Sequence, residues 1–541
     1  MSILPLGDAA MVLHLDGPVD AVMAARVQAI AAALRRARVP GLLDVVPAFA
    51  SVAVCLDPAQ APPAGEVAEA LAAAAESARP SGGESARVVE VPVIYGGDHG
   101  PDLADVARHS GLAPAEVIAR HAAGDYLVHA IGFAPGFPYL GGLDPRLATP
   151  RRGTPRSRVP AGSVGIGGAQ TGVYPLATPG GWNVIGRTPL ALFDARREPA
   201  ALLHAGDRVR FRAVTESAEM FAKANPRIAA PPTPRGIEVL RAGQFTTVQD
   251  LGRVGHRAEG VASGGAADPV ALRLANLLAG NREDAAALEC TLTGPELRFE
   301  ADAMIAWGGA EAAGLARWQP LAVRAGQTVS VGALQRGGCR GYLAVSGGIR
   351  TARELGSRST CVRAGLGGLD GRALRDGDRL PLNPTGMTAV GRWHVDERAL
   401  PHYSVAPTVR VVPGAQAGDF EALEGNVFTV APQSDRMGVR LSGRLPRRGP
   451  ARELVSAPVV PGTVQVPPDG APIVLLADAQ TIGGYPQAAH VITVDLPLVA
   501  QLRPGDTVRF ASIAHDEARR LLLARERALG LLREGLAQKF H

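Results

Sequence analysis

One short stretch near the C-terminal end joins a carboxylate to two guanidinium groups. SDRMGVRLSG (434–443) places Asp435 beside Arg436, with Arg440 four residues further on. A guanidinium can hold an anion through paired hydrogen bonds, and a carboxylate can deprotonate or position a reacting group. The pattern predicts that Arg436 binds an anion and that Asp435 acts as a catalytic base or positioning group. The alternative is that the Asp435–Arg436 pair only caps a turn.

A second stretch supplies another carboxylate and several hydrogen-bonding side chains. LLADAQTIGGYP (475–486) carries Asp478, Gln480, Thr481 and Tyr485 in close succession. Asp478 is the other candidate for the catalytic carboxylate. Gln480, Thr481 and Tyr485 are predicted to contact a substrate. In the alternative interpretation, Gln480 satisfies buried backbone groups. No His/Asp/Glu cluster has the spacing of a metal site, so no protein-bound metal is predicted.

A glycine- and proline-rich loop is the most tightly specified segment of the first half. IGFAPGFPYLGGL (131–143) combines glycines, which permit a positive φ, with prolines, which stiffen the backbone between them. We interpret it as a rigid binding loop in which Gly136 and Phe137 contact a substrate, with a structural turn as the alternative. His129, two residues before the loop, is a candidate acid or base near neutral pH, although a lone histidine is more often packed.

Arginines precede a glycine-rich strand pair just after this loop. The segment TPRRGTPRSRVPAGSVGIGGAQTGVYPLATPGGWNVIGRTP (149–189) begins with four arginines and carries Gln170, Thr171 and Tyr174 within the strands. A pocket lined by arginines, amides and hydroxyls suits an anionic or amide-bearing small molecule. We therefore predict that Gln170, Thr171 and Tyr174 contact the substrate.

Composition excludes several classes of function. Lysine occurs only at Lys223 and Lys539, with no P-loop and no Met-Lys-Met context for biotin, so bound anions are expected on arginine or backbone N–H groups. The arginines are scattered among acids, which argues against nucleic-acid binding despite the net charge of +5. No signal peptide or membrane span is predicted. Four widely spaced cysteines fit reduced thiols in a cytoplasm.

Length and turn content predict several mostly β domains. The chain has 541 residues, with 65 glycines and 44 prolines. At ~100–200 residues per domain this length suggests roughly three to five domains. The composition shifts predict a small α/β module over 1–86, a β unit over 87–215, a linker over 216–234, a larger β region over 235–513 and an amphipathic helix over 514–541.

Three short motifs recur in the same order in both halves of the chain. VPAGSV (159–164) recurs as VPGTV (460–464), AQTGVYP (169–175) as AQTIGGYP (479–486), and HAGDRVRF (204–211) as RPGDTVRF (503–510). Three matches in register indicate two diverged copies of one β-rich domain. The duplication could build the same kind of pocket twice, or it could repeat the scaffold alone.

Longer motifs resemble a known pair of proteins that work together. VPVIYGGDHGPDLADVA, IGFAPGFPYLGGLDPRLATPR and PGGWNVIGRTP resemble the allophanate hydrolase subunit 1 family, also described as the B subunit of 5-oxoprolinase. TTVQDLGRVGHRAEGVASGGAADPVALRLANLLAGN, SDRMGVRLSG and GTVQVPPDGAPIVLLADAQTIGGYPQAAHVITVDL look like its partner, allophanate hydrolase subunit 2, also described as the 5-oxoprolinase C subunit. The chain thus resembles a fusion of the two. The resemblance implies a ferredoxin-like N-terminal module followed by cyclophilin-like β-barrels.

The resemblance leaves three functions open. The pair is associated with ATP-dependent opening of 5-oxo-L-proline to L-glutamate, together with a separate 5-oxoprolinase A subunit. Similar domains form the carboxyltransferase part of a biotin-dependent urea carboxylase in urea amidolyases. The third role is the Kip pair, which regulates a histidine kinase. We favour the 5-oxoprolinase because neither a biotin carrier nor a biotin carboxylase is recognisable here. It implies ATP with Mg²⁺, at a site that could be shared with the A subunit, and no covalent biotin.

Overall fold

The computed structural model describes residues 1–79, 87–215, 233–385, 394–396, 400–450 and 454–540, the side chains of residues 539 and 540 excepted. Nearly all of the predicted linker over 216–234, including Lys223, lies outside these residues. The described chain is mostly β, as predicted, with two closed barrels. None of its helices is both long enough and apolar enough to cross a membrane.

The N-terminal module is an antiparallel sheet with two helices packed on it. Its strands lie in the order β1-β2-β4-β3. This is the βαββαβ order of a ferredoxin-like module with the last strand moved to the front. The elements are β1 Ser2–Pro5, β2 Ala10–His14, α1 Ala21–Ala37, β3 Leu42–Pro47, β4 Ser51–Leu56 and α2 Ala64–Ser77.

The two faces of this sheet have different neighbours, because successive side chains of a strand point to opposite faces. Leu13 and Val54 face the two helices in one apolar cluster. Val12 and Ala53 face the other way and share a second cluster with residues of both barrels. The module therefore lies against both barrels.

The first barrel is closed by seven strands in the order β10-β7-β6-β13-β5-β12-β9. Strands β8 and β11 form a separate two-stranded ribbon. The elements are β5 Val88–Tyr95, α3 Leu103–Ser110, α4 Pro114–Ala123, β6 Tyr126–Ile131, β7 Pro138–Gly141, β8 Arg156–Val159, β9 Ser163–Gly167, β10 Gln170–Val173, β11 Thr178–Gly180, β12 Asn183–Arg187 and β13 Arg208–Ala213.

A sandwich of two sheets follows, in the orders β20-β17-β14-β22 and β15-β16-β21-β18-β19. One apolar core fills the space between them, and helix α5 covers the outer face of the second sheet. The elements are β14 Gly236–Arg241, β15 Phe245–Gln249, α5 Pro269–Leu278, β16 Ala287–Thr291, β17 Glu296–Phe299, β18 Ala303–Gly309, β19 Pro320–Val323, β20 Thr328–Ser330, β21 Arg340–Val345 and β22 Arg379–Pro381. The region over 235–513 thus contains a sandwich as well as a barrel.

The second barrel closes in the order β23-β30-β27-β28-β25-β24-β31, with β26 and β29 as a separate ribbon. A long helix, α7, follows it and packs against α5. The elements are β23 Thr408–Pro413, β24 Phe428–Val430, β25 Gly438–Ser442, β26 Ala457–Pro458, β27 Thr463–Gln465, β28 Ile473–Leu475, β29 Ile482–Gly483, β30 Gln487–Val491, α6 Leu496–Ala500, β31 Thr507–Ser512 and α7 His515–Phe540.

The two barrels have the same strand order. In each, the first and last strands pair in parallel, β5 with β13 and β23 with β31. Two of the three sequence repeats fall on equivalent strands, β9 with β27 and β13 with β31. The third does not, because AQTGVYP covers β10 whereas AQTIGGYP follows β28. TIGGY (481–485) corresponds in structure to TPGGW (178–182), because each segment carries the second strand of the ribbon beside its barrel, β29 and β11 respectively.

Polar contacts fix the N-terminal module to the rest of the chain. The backbone N–H and hydroxyl of Thr493, beside the second barrel, donate to Asp8 at 3.0 and 2.6 Å. The backbone N–H of Arg257, in a loop of the sandwich, donates to Asp44 at 2.8 Å. His515, at the start of α7, contacts the Gly7 carbonyl at 2.9 Å. These contacts connect the two halves at several separate points.

Buried histidines predict a pH dependence of stability. Burial lowers the pKa of His490, in β30, to about 4. The unfolded chain takes up this proton near pH 6.5, so the contribution is complete above about pH 6.5 and is lost as pH falls towards 4. We expect His490→Gln to reduce the slope of unfolding free energy against pH in this window by up to about 1.4 kcal/mol per pH unit. Urea denaturation at a series of pH values measures it.

The matched control is His109→Gln, which changes an exposed histidine of α3. This variant should retain the wild-type slope. Equal slopes for wild type and His490→Gln would show that His490 does not take part in the effect.

Candidate functional site

A large cleft lies between the two barrels, with a volume of about 1840 Å³. The first barrel and the N-terminal sheet supply one wall, and the second barrel supplies the other. Five of the predicted site residues line it: His129, Gln170, Asp435, Gln480 and Tyr485. The geometry thus combines candidates from both halves of the sequence in one space.

The cleft is strongly cationic. Among its described lining residues Asp435 is the only carboxylate, against five arginines, Arg151, Arg363, Arg440, Arg444 and Arg447. Arg447 pairs with Asp419 at 3.0 Å. Within the described ranges, Arg151, Arg440 and Arg444 form no salt bridge. Such a concentration of unpaired positive charge attracts an anionic ligand.

Four glutamines add amide groups to the same walls: Gln170, Gln433, Gln465 and Gln480. The Gln480 amide donates to Oε1 of Gln465 at 3.3 Å. Gln465 is only 2% exposed, and its Nε2 has no hydrogen-bond partner in the described structure. The cleft therefore offers both guanidinium and carboxamide groups to a ligand.

Asp435 is exposed at the edge of the cleft and also holds a turn. Its Oδ1 accepts the backbone N–H groups of Met437 at 2.8 Å and Gly438 at 3.3 Å. The turn-capping alternative considered for Asp435 is thus present in the structure. Because the residue also lines the cleft, its carboxylate remains a candidate base.

His129 lies in the opposite wall. Its ring stacks on Phe49 of the N-terminal module, with centroids 5.5 Å apart, and its Nδ1 has no partner among the described groups. Burial lowers the pKa of His129, so the imidazole is neutral near pH 7. A neutral imidazole at the cleft wall can accept a proton or a hydrogen bond.

Arg436 is turned away from the cleft and holds the second barrel on the sandwich. Its guanidinium donates to Asp478 at 2.9 Å, to Glu289 and to the Gly265 carbonyl at 2.6 Å. Burial alone would lower the pKa of Arg436, but Asp478 and Glu289 hold it well above its usual value. Every guanidinium nitrogen thus donates inside the protein. The structure thus places Arg436 and Asp478 in the contact between the second barrel and the sandwich and not in the cleft lining, and their catalytic role stays a prediction.

Three predicted contact residues are buried away from the cleft. Thr171 donates to the Gly165 carbonyl at 3.0 Å and contacts Nε2 of His121 at 2.9 Å. Tyr174 packs edge-on against Phe137, with centroids 5.4 Å apart. Thr481 is fully buried. These side chains pack within the protein and do not line the cleft.

The glycine-rich loop docks the first barrel on the sandwich. The Gly136 backbone N–H donates to the Glu259 carbonyl at 2.8 Å, and a Cβ on Gly136 would lie 3.0 Å from the Leu192 carbonyl. Phe137 is buried. Of this loop, Phe133 and Tyr139 line the cleft. Gly136 and Phe137 contact protein and do not line the cleft, so their contact with a substrate stays a prediction.

Sequence reasoning missed part of the cationic and amide lining. Arg444, Arg447 and Gln433 lie in loops without a motif. Gln465 had a signal: it is a polar residue between Val464 and Val466 in a buried strand. Within the described ranges, no group of three or more His, Cys, Asp or Glu side chains could hold a metal ion.

Both halves of the chain match known protein families. The family model described as carboxyltransferase domain, subdomain C and D, matches residues 1–203, and that of subdomain A and B matches residues 259–512. The chain is 45% identical over 224 residues to the 5-oxoprolinase B subunit of Bacillus subtilis strain 168, covering 39% of this chain and 92% of that protein. It is 40% identical over 294 residues to the 5-oxoprolinase C subunit of Escherichia coli K12, covering 52% and 93%.

Solved structures agree with these matches. The crystal structure of TTHA0988 superposes with a TM-score of 0.81 at 38% identity, covering 93% of this chain and 99% of that one. The crystal structure of Kluyveromyces lactis urea carboxylase matches with a TM-score of 0.52 at 31% identity, covering 56% of this chain and 29% of that one. The first match spans both halves in one chain.

The docking role of Arg436 predicts a loss of stability. Arg436→Ala removes the cation that Asp478 and Glu289 share and leaves Glu289 only Arg340 among the described cations, 3.9 Å away; removing one partner of a buried pair typically costs about 3–5 kcal/mol. We expect a clearly lower denaturation midpoint in urea or on heating. Arg440→Ala, which removes an exposed arginine of the same strand region, is the control and should leave the midpoint within error. A folded Arg436→Ala variant of unchanged stability would contradict the docking role.

Proposed function

This chain belongs to the carboxyltransferase-domain family, and on that premise we propose that it is the fused B and C component of an ATP-dependent 5-oxoprolinase. In this role it opens 5-oxo-L-proline to L-glutamate together with a separate protein like the 5-oxoprolinase A subunit. The relatives named as B and C subunits match successive parts of the chain over more than nine-tenths of their own lengths. The fusion would keep the two parts in a fixed 1:1 ratio.

The cleft between the barrels is the observation that carries this proposal. One wall belongs to the B-like half, with His129 and Gln170, and the other to the C-like half, with Asp435 and Gln480. A site divided in this way is complete only when both halves are present. This supports a function in which the two parts act as one component.

The groups in the cleft match the chemistry of the substrate. 5-Oxo-L-proline carries a carboxylate, which arginines such as Arg440 and Arg444 can bind, and a lactam, which carboxamides can bind. Its amide is resonance-stabilised, so its carbonyl must be activated before water can add. Asp435 is positioned to deprotonate that water, and His129 can accept a proton from the opposite wall.

ATP enters as a co-substrate that activates the lactam oxygen by phosphorylation. The arginines of the cleft fit the negative charge of a phosphoryl group. Asp435 is the only described carboxylate in the lining, so Mg²⁺ would be held mainly by the nucleotide's own phosphates. A nucleotide site completed by the A subunit is consistent with this lining.

A second candidate function is carboxyl transfer in a biotin-dependent amide carboxylase. The match to urea carboxylase over 56% of this chain favours it. Urea, like a lactam, presents an amide edge, so the same cleft could accept it. The chain would then need a separate biotin carrier and biotin carboxylase.

The proposed reaction can be tested by reconstitution. We expect the purified chain alone to leave 5-oxo-L-proline intact, and its mixture with the A subunit, Mg²⁺ and ATP to release glutamate and ADP in equal amounts. The A subunit with ATP, in the absence of this chain, is the control. If the complete mixture consumes no 5-oxo-L-proline while the chain accelerates carboxyl transfer from carboxybiotin to urea, the carboxylase assignment replaces the oxoprolinase one.

Asp435 can be tested as the base within this assay. Asp435→Asn should lower the rate of glutamate formation by roughly 10²–10⁴-fold, since the amide cannot accept a proton. Its denaturation midpoint should stay close to wild type, because the amide oxygen can still cap the turn. Asp469→Asn is the matched control: Asp469 is exposed and caps a turn in the same barrel by accepting the Ala471 N–H at 3.0 Å. Similar rates in the two variants would exclude the catalytic role.

A further inference from the structure

We propose that Gln465 is the specificity-determining residue of the cleft and that its carboxamide reads the cis-amide edge of the lactam. The inference rests on the proposed function and adds a residue that determines substrate choice. Gln465 ends strand β27 at the cleft wall and is 2% exposed. Its Oε1 accepts from Gln480 at 3.3 Å, while its Nε2 is unpartnered among the described groups.

An unpaired buried amide is unfavourable unless a ligand completes it. Leaving a buried donor without a partner costs free energy comparable to that of a lost hydrogen bond. The neighbouring strand positions are Val464 and Val466, both buried, so an apolar residue at 465 would suit the strand alone. The position thus carries a group whose bonding is incomplete without an occupant of the cleft.

The surroundings keep this amide in place, and its Nε2 is buried beside Gly483. A Cβ at position 483 would lie 2.5 Å from Nε2 of Gln465, so glycine is needed there if the amide is to keep its position. The hydrogen bond to Gln480 fixes the plane of the amide from the other side. The cross-strand neighbour Gln487 uses its Nε2 to donate to the Pro458 carbonyl at 3.2 Å, while its Oε1 is unpartnered among the described groups.

The lactam edge is the complement of a primary carboxamide. A five-membered lactam holds its C=O and N–H on the same side, so one carboxamide can donate to the carbonyl and accept from the N–H. Oε1 of Gln465 has two lone pairs and uses one for Gln480, which leaves the other for the ligand. The match holds in either orientation of the amide, because each edge carries one donor and one acceptor.

The test pairs a ligand change with a residue change. The ligands are 5-oxo-L-proline and 5-oxotetrahydrofuran-2-carboxylate, a lactone that keeps the carbonyl and carboxylate but lacks the N–H. Affinities are measured by isothermal titration of the full chain and of its complex with the A subunit. We expect wild type to prefer the lactam roughly tenfold or more, and Gln465→Leu to bind the lactam roughly tenfold more weakly and to prefer neither ligand.

Two further variants complete the test. Gln244→Leu changes an exposed glutamine of the sandwich that does not line the cleft, and it should keep the lactam preference. Gly483→Ala crowds the Gln465 amide without touching its chemistry and should reduce the preference, which provides a second reading if Gln465→Leu does not fold.

The outcomes separate this inference from the proposed function. If Gln465→Leu folds and still prefers the lactam over the lactone, Gln465 is structural and the inference is overturned while the oxoprolinase assignment stands. If wild type binds neither compound but binds urea, the oxoproline assignment fails and the inference about the lactam fails with it. Loss of preference in Gln465→Leu and Gly483→Ala, but not in Gln244→Leu, supports it.

Discussion

The spacing of the two barrels depends on one apolar layer, the outward face of the N-terminal sheet. Val12 and Ala53 of that face share a cluster with Ala130 of the first barrel and Ile482 of the second. Gly132 adds to this contact, since a Cβ there would lie 2.9 Å from the Ile482 side chain. Because this layer touches both barrels, it sets the width of the cleft between them. A small module without cleft chemistry of its own thus determines the geometry of the site.

Polar groups then fix what the apolar layer brings together. Arg257 donates from its backbone to Asp44 of the N-terminal module and from its side chain to the Val459 carbonyl of the second barrel. Arg436 connects the second barrel to the sandwich through Glu289 and Gly265. Burial makes each of these donors costly to leave unpaired, so relative movement of the units is opposed. The arginines least available to a ligand are those that keep the cleft in shape.

The sequence was sufficient for the fold class, but it did not locate the cleft and identified only part of its lining. The repeats at β9/β27 and β13/β31 predicted a duplicated β domain, and the long motifs predicted the two halves. Motif density did not separate docking residues from lining residues, because both require specific side chains. Arg436 and Gly136 are required at contacts between the barrels and the sandwich of the same chain. Arg444 and Gln433 carry no local pattern, since only the closure of two distant segments places them in the cleft.

The duplication repeats the scaffold while the amide site is built only once. The register of β9 and β27 makes Gly165 the counterpart of Gln465, and TPGGW and TIGGY make Trp182 the counterpart of Tyr485. Trp182 is 6% exposed and packs in the aromatic cluster of the first barrel, whereas Tyr485 is 46% exposed at the cleft.

In the first copy, therefore, a glycine and a buried indole fill the space that the second copy leaves open for a carboxamide. A Cβ at Gly165 would lie 3.2 Å from the Asn183 carbonyl oxygen and 3.3 Å from the Cβ of Trp182, so a larger side chain there would crowd both residues. The two barrels therefore share a fold but contribute different groups to the cleft. The first barrel supplies a packed wall with His129 and Gln170, and the second supplies the amide pair and Asp435.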